Sequence, residues 1–246
     1  MELIYLATFL AAFISSILSG MAGGGGGGFI MAPYWLIAGL SPTQGATTGA
    51  FMALGMGGGS MAAFRGTDHM PKNKKLVIGL IVLTLLTSAI GPFFLPHISI
   101  NVFKPILALL TVGSLPFLFI NRKDIEISSR NKRLGYVLLA ILLILSSFIT
   151  SSAFSILMAV VLNKVLNMSI LQTTAIRRIM GFAQSTVIFV ILVILGGFVW
   201  QHALTAVIGG TLGTYIGTKF AIRRGERFAK YALAAGAVVS SIALLL

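Results

Sequence analysis

Apolar residues run along this chain in long uncharged stretches instead of alternating with polar ones, and residues 76–95, 134–147 and 181–199 hold no charged side chain. Continuous runs predict helices, because barrel strands alternate their faces and lipid offers no partner to an open sheet edge. Ten apolar segments follow, at residues 3–22, 29–40, 43–64, 76–95, 101–120, 134–150, 153–166, 170–197, 202–221 and 229–246. Most come near the roughly 20 residues that a bilayer crossing needs. The segments at 29–40 and 153–166 are too short, and each directly follows a stretch of glycine or hydroxyl residues. They are expected to be half-helices. The fold class expected is all-α, a polytopic transmembrane helical bundle with two broken, re-entrant half-helix elements.

Composition narrows the class. The chain is 57% hydrophobic with only five carboxylates, and a soluble domain could not solvate such a surface. The first segment follows Glu2 rather than a basic stretch and lacks a small-residue cleavage site, so it is expected to stay as a span and not to be removed as a signal peptide. With no cysteine there is no disulfide, thiolate nucleophile or Cys-based metal centre. His69, His97 and His202 fall at predicted helix ends or loops without ligand spacing to carboxylates, so neither a metal site nor a cofactor is expected.

The formal net charge of +13 could suggest nucleic acid, but lysine and arginine gather in three short loops, 65–75, 122–133 and 219–230. Short basic loops between apolar spans are retained on the cytoplasmic side, so the charge reads as topology and no nucleic-acid partner is expected. Segments four and five lie between the first two basic loops and cross an even number of times. Segments six to nine lie between the second and third, which works if six and seven dip in and return or if both cross. Either reading puts both termini outside. Each half then makes an odd number of net crossings, so a duplication would have to be inverted in the membrane.

The letters and charges suggest such a repeat. Leu40-Ser41-Pro42-Thr43-Gln44 and Met168-Ser169-Ile170-Leu171-Gln172 match at Ser and Gln, each after a short half-helix and before a long helix. On that register the basic 65–75 falls opposite the neutral 196–203, and the neutral 95–101 opposite the basic 223–227. The expected organisation is a first inverted repeat at 1–122, a second at 129–246, each of about five helical segments, and a cytoplasmic basic linker at 121–133. Gly209, Gly213 and Gly217, like Gly55 and Gly59, recur every four residues and are expected to let helices approach closely.

Candidate chemistry centres on the run Gly23, Gly24, Gly25, Gly26, Gly27 and Gly28, which should break the helix near the membrane midplane. Broken backbone survives there only if protein covers it or a watery cavity hydrates it, and the start of the following half-helix would offer free N–H donors to an anion. The matching place in the second half holds Thr150, Ser151, Ser152 and Ser155. The run lacks the Lys-Ser/Thr pair of a nucleotide-binding loop. Arg177 and Arg178 lie inside the eighth segment, where charge is costly and therefore a functional candidate. Two readings stand: one arginine faces the cavity while its neighbour snorkels to the cytoplasmic surface, or both anchor at the interface. Gln44 and Gln172 either cap their helices or touch substrate. No Asp or Glu falls inside a predicted span, so a carboxylate proton relay is not expected.

The spacing Gly24-x-Gly26-Gly27-Gly28, four residues, Pro33, then Gly39 with a polar turn and Thr48 resembles the sulfite exporter TauE/SafE family of transport proteins. Trp35 stands where that pattern would have leucine, Gly49 where it would have serine, and the second half has serines and Ala153 in place of glycines. The resemblance implies an inverted-repeat bundle that exports or exchanges sulfur-containing anions such as sulfite, thiosulfate or organosulfonates. The function expected is membrane transport of a small anion, as exporter or uniporter, in a cell inner membrane. The partners are then the anionic substrate and the lipid bilayer, with association into a homo-oligomer left open. A non-transporting assembly subunit is the alternative. An intramembrane enzyme is disfavoured, because no base accompanies the serines at membrane depth.

Overall fold

The computed structural model describes residues 2–23, 28–71, 73–89, 113, 116, 129–148, 152–166, 168–195 and 197–245. Among these residues the chain is all-α, with eight helices: α1 (Glu2–Met21), α2 (Gly28–Ile37), α3 (Pro42–Phe64), α4 (Lys74–Ser88), α5 (Ser129–Phe148), α6 (Ser152–Val165), α7 (Ile170–Ile194) and α8 (Trp200–Leu245). Apart from residues 113 and 116, the expected segment at 101–120 lies outside the described residues, as does most of the basic linker.

Local chemistry sets the helix starts. Ser41 is extended (φ −63°, ψ 158°), its hydroxyl accepts the Gln44 N–H at 3.3 Å, and the Gln44 side-chain oxygen accepts the Ser41 N–H at 2.9 Å. Pro42 takes the first helical position, where a missing N–H costs nothing. Ser169 and Gln172 repeat this box at the start of α7, with distances of 3.1 and 3.0 Å. Asn73 caps α4 by accepting the Leu76 N–H at 3.1 Å. The ninth and tenth predicted segments are joined without a loop, because α8 runs through both and leaves helical geometry only at Gly225 (φ 80°, ψ −174°). Glycine takes that φ without a Cβ clash.

The first arm of α8 packs between α1 and α3. Gly209, Gly213 and Gly217 lie directly on the carbonyls of Phe9, Phe13 and Ile17 in α1, while Gly55 and Gly59 of α3 lie on Thr211. These contacts step in the same direction along each pair, so α1, α3 and this arm are parallel. Phe182 meets Gly57, whereas Gly197 meets Thr43 and Thr47, so α7 runs the opposite way to α3. One end of the bundle therefore gathers the C-terminus of α3, the N-terminus of α7 and the break in α8, with Phe64, Ile170, Leu171, Ala229 and Leu233 in a single apolar cluster. The basic segments 65–75 and 219–230 sit at that end.

Polarity is sorted outward-apolar. Leu3, Leu6, Leu10, Ile14 and Leu18 form an exposed stripe on α1, and Leu204, Ile208, Leu212 and Ile216 form one on α8. The buried faces carry Thr8, Ser15, Ser16 and Ser19 on α1 and Thr214 and Thr218 on α8. Water would favour the reverse, whereas lipid solvates leucine and leaves association to small residues and hydroxyls. By length and composition, Leu3–Met21 and Ile170–Ile194 are each able to cross a bilayer.

Replacing Gly213 or Gly217 by leucine forces a side chain into the α1 backbone and is expected to lower stability by about 1–3 kcal/mol. Gly58→Ala, where a Cβ meets nothing within 4 Å, should melt near wild type. Thermal unfolding in detergent compares the three.

Candidate functional site

α7 carries the charges inward. Arg177 and Arg178 are 7% and 8% exposed, so neither snorkels to a surface. The correction has a packing cause: α7 is flanked by α3, α4, α6 and α8, and the two faces that adjacent residues occupy are both covered. One Arg178 Nη donates to the Ser19 carbonyl oxygen at 2.6 Å and approaches the Ser19 hydroxyl at 3.2 Å. One turn back on α7, Thr174 packs against Gly23, where a Cβ would come within 2.5 Å of its hydroxyl. Gly23 itself has φ 63°. The last turn of α1 and the first glycine of the run are thus held against the Thr174–Arg178 stripe.

Hydroxyls from three further helices are buried with that stripe. Ser16 and Ser19 lie a turn apart on α1. Ser60 of α3 bonds Thr218 of α8 at 3.1 Å. Gly20 of α1 abuts the Thr214 carbonyl, and Ser16 abuts Gly213. Several buried groups have no partner among the described residues: the Ser16, Thr173 and Thr214 hydroxyls, one Nη of Arg177 and Nε of Arg178. Buried polar groups are nearly always paired, so these groups on α1, α7 and α8 are exceptions to the rule. Among the described residues no carboxylate pairs with either arginine.

The sequence candidates divide by position. Arg178 reaches Ser19 in the last turn of α1, one turn along α7 from the contact of Thr174 with Gly23, and Arg177 occupies the neighbouring buried stripe of α7. Gln44 and Gln172 commit their side-chain oxygens to capping boxes. Thr48, buried and also unpartnered, lies three turns of α3 from Ser60 and is not brought to the arginines. Gly28 begins α2, and Ser152 and Ser155 lie in the first turns of α6. Gly24, Gly25, Gly26, Gly27, Thr150 and Ser151 lie outside the described residues. α2 runs back along α1, with Met31 packed in a cluster with Ala12 and Tyr34 over Ile4 and Thr8, so its N-terminal end faces the Ser15–Ser19 turn.

Ser16, Ser19 and Thr214 were not singled out by sequence, although three serines in the last turns of an apolar helix just before a glycine run are a legible signal. Glu226 falls in the basic segment 219–230, outside every apolar run of the sequence. Its carboxylate accepts the Ile170 N–H at 2.9 Å and the Leu171 N–H at 3.3 Å, the two donors that the Ser169–Gln172 box leaves open. An anion at a helix N-terminus is favoured by the dipole.

A family model described as "Sulfite exporter TauE/SafE" matches residues 8–244. The chain belongs to the sulfite exporter TauE/SafE family. Two relatives agree with it. A "Probable membrane transporter protein" of Haemophilus influenzae is 25% identical over 224 residues, covering 89% of this chain and 85% of that protein. "Probable membrane transporter protein ORF9" of Sinorhizobium sp. is 23% identical over 259 residues, covering 98% and 91%. No solved structure matches. As a TauE/SafE member the chain is a multi-pass membrane transporter and not an enzyme.

Glu226→Gln keeps the shape but removes the charge from both hydrogen bonds. It is expected to destabilise the protein by about 1–2 kcal/mol, read as a lower melting temperature. Glu226→Asp should fall between the two.

Proposed function

We propose that this TauE/SafE-family transporter carries a small sulfur-containing oxyanion or organosulfonate, such as sulfite, out of the cell across the inner membrane. The observation that carries the reading is the pair Arg177 and Arg178, buried on α7 with unpartnered N–H groups and no carboxylate partner among the described residues. Uncompensated positive charge inside a bundle is costly, and a bound anion offsets it. We assign to the same site the backbone N–H groups of the glycine run Gly24 to Gly28 and the residues Thr150, Ser151, Ser152 and Ser155, while Thr48, about three turns of α3 from Ser60, meets the anion elsewhere on its path. The hydroxyls of Ser16 and Thr214 support it from α1 and α8.

The bundle is an inverted repeat, residues 1–122 and 129–246, in which α2 and α6 are re-entrant half-helices. Three observations support this: the two matching Ser–Gln capping boxes, the return of α2 along α1, and the opposite directions of α3 and α7. Placing the basic segments in the cytoplasm puts both termini outside. Gln44 and Gln172 then hold equivalent helix starts on opposite sides, close enough to the pathway to line its two mouths.

Sulfite efflux from proteoliposomes tests the reading. Arg177→Gln and Arg178→Gln each remove charge-assisted donors worth about 1.5–3 kcal/mol and are expected to weaken transport roughly tenfold to hundredfold. Gly26→Leu should abolish it while the protein remains inserted. An imposed potassium-diffusion potential should drive efflux of a monovalent anion. Wild-type flux in both arginine variants, or no flux of any sulfur oxyanion or sulfonate, overturns the proposal.

A further inference from the structure

At the end of the bundle opposite the basic segments, three helices meet on one hydroxyl. His202 is the third residue of α8, about 25 Å along the helix from Lys219, and is buried. Thr8 Oγ1 of α1 lies 3.1 Å from His202 Nδ1, 2.7 Å from the Tyr34 hydroxyl of α2, and 2.8 Å from its own helix's Ile4 carbonyl. Tyr34 also reaches the Ile4 carbonyl, at 3.1 Å. The Tyr5 ring stands 5.3 Å from the imidazole. The titratable groups that face His202 are thus the phenols Tyr5 and, through Thr8, Tyr34. Among the described residues no carboxylate or cation contacts it.

Proton counting gives this junction two arrangements. Thr8 and Tyr34 each have one proton to donate, and the Ile4 carbonyl can only accept. When His202 Nδ1 bears a proton, it donates to Thr8 Oγ1. Thr8 then donates to Ile4, and Tyr34 donates to Thr8. When the imidazole is neutral with its proton on Nε2, Nδ1 accepts from Thr8. The Ile4 carbonyl, released by Thr8, is then open to the Tyr34 hydroxyl 3.1 Å away. An imidazolium permits only the first arrangement, because both of its nitrogens donate. Imidazole is also the side chain whose ordinary titration spans physiological pH.

We propose that His202 is a proton-binding site and that its protonation state sets how α2 is latched to α1. The ligand is a proton taken at Nδ1 of the Nε2–H imidazole, and the response is the transfer of the Tyr34 hydrogen bond from Ile4 to Thr8. Since α2 begins at the end of the glycine run, the latch controls the element that borders the pathway. The proposal rests on the transport reading only where flux is measured.

Trp35 reports the latch without any substrate. It lies beside Tyr34, with ring centroids 5.6 Å apart, and in a Trp200→Phe background it is the single tryptophan, since the sequence has two. In liposomes, Trp35 emission is expected to shift as pH falls from about 8 to 5. His202→Gln should abolish the shift. Thr8→Val keeps the imidazole but cuts the link, and should abolish it too. Thr8→Ser restores a hydroxyl and should restore the shift. Sulfite efflux in the same liposomes should lose its dependence on pH in His202→Gln and Thr8→Val. No shift in the parent protein, or a shift unchanged in those two variants, overturns the latch. A normal shift in a protein that moves no sulfite supports the latch and counts against the transport reading instead.

Discussion

Where α1 lies against α8, backbone meets backbone, and the rest of the interior is arranged around that contact. Gly209, Gly213 and Gly217 remove every side chain from one line of α8, and the carbonyls of Phe9, Phe13 and Ile17 fill the space. In lipid there is little hydrophobic gain in joining two apolar helices, so close packing and inward hydroxyls must hold them. The close approach brings Ser16 up to Gly213 and Gly20 up to Thr214. It also leaves Ser19 as the neighbour of Arg178. With a wider spacing the α1 serines would face a gap, and the α7 arginines would lose the carbonyl that accepts one of them.

Two kinds of information can be separated by asking which parts of this arrangement the amino-acid pattern carries alone. Helices α1, α2, α3, α6 and α7 begin and end within a few residues of their apolar runs, because caps such as Ser41–Gln44 and Ser169–Gln172 are local chemistry. The glycine spacing of α8 is legible for the same reason, since one helix face is a matter of counting. The burial of both Arg177 and Arg178 was not legible. Adjacent residues on a helix point about 100° apart, and only the neighbours covering each direction decide whether a side chain can reach a surface. Glu226 looked like one acid in a basic loop because its partners are 55 and 56 positions away. His202 looked like a helix-end histidine because Thr8 belongs to the other end of the sequence. The reach of the glycine run is legible only at its edge, through the contact of Gly23 with Thr174.

The two polar regions differ in their bookkeeping of protons and charges. Around Arg177 and Arg178, donors are left without acceptors among the described residues. Around Thr8 the donors and acceptors balance, and what varies is their order. α2 joins these regions mechanically, since Tyr34 belongs to the balanced junction while Gly28 begins the helix at the edge of the glycine run. A short helix of ten residues, Gly28–Ile37, can shift as a unit more readily than the long helices that clasp α8.

The carboxylate at the start of α7 also bears on the order in which the molecule is made. When α7 leaves the ribosome and enters the membrane, its Ser169–Gln172 box can close at once, but the N–H groups of Ile170 and Leu171 must wait for Glu226, 56 and 55 residues downstream. The corresponding start of α3 has no comparable delay at its first position, because Pro42 brings no N–H. The helix that buries two arginines therefore gains its last terminal bonds only after most of α8 has been synthesised. Chains truncated before Glu226 would keep that turn unfinished, with the Ile170 and Leu171 N–H groups lacking their acceptor. Completion of the second half is thereby tied to arrival of the nearly full-length chain.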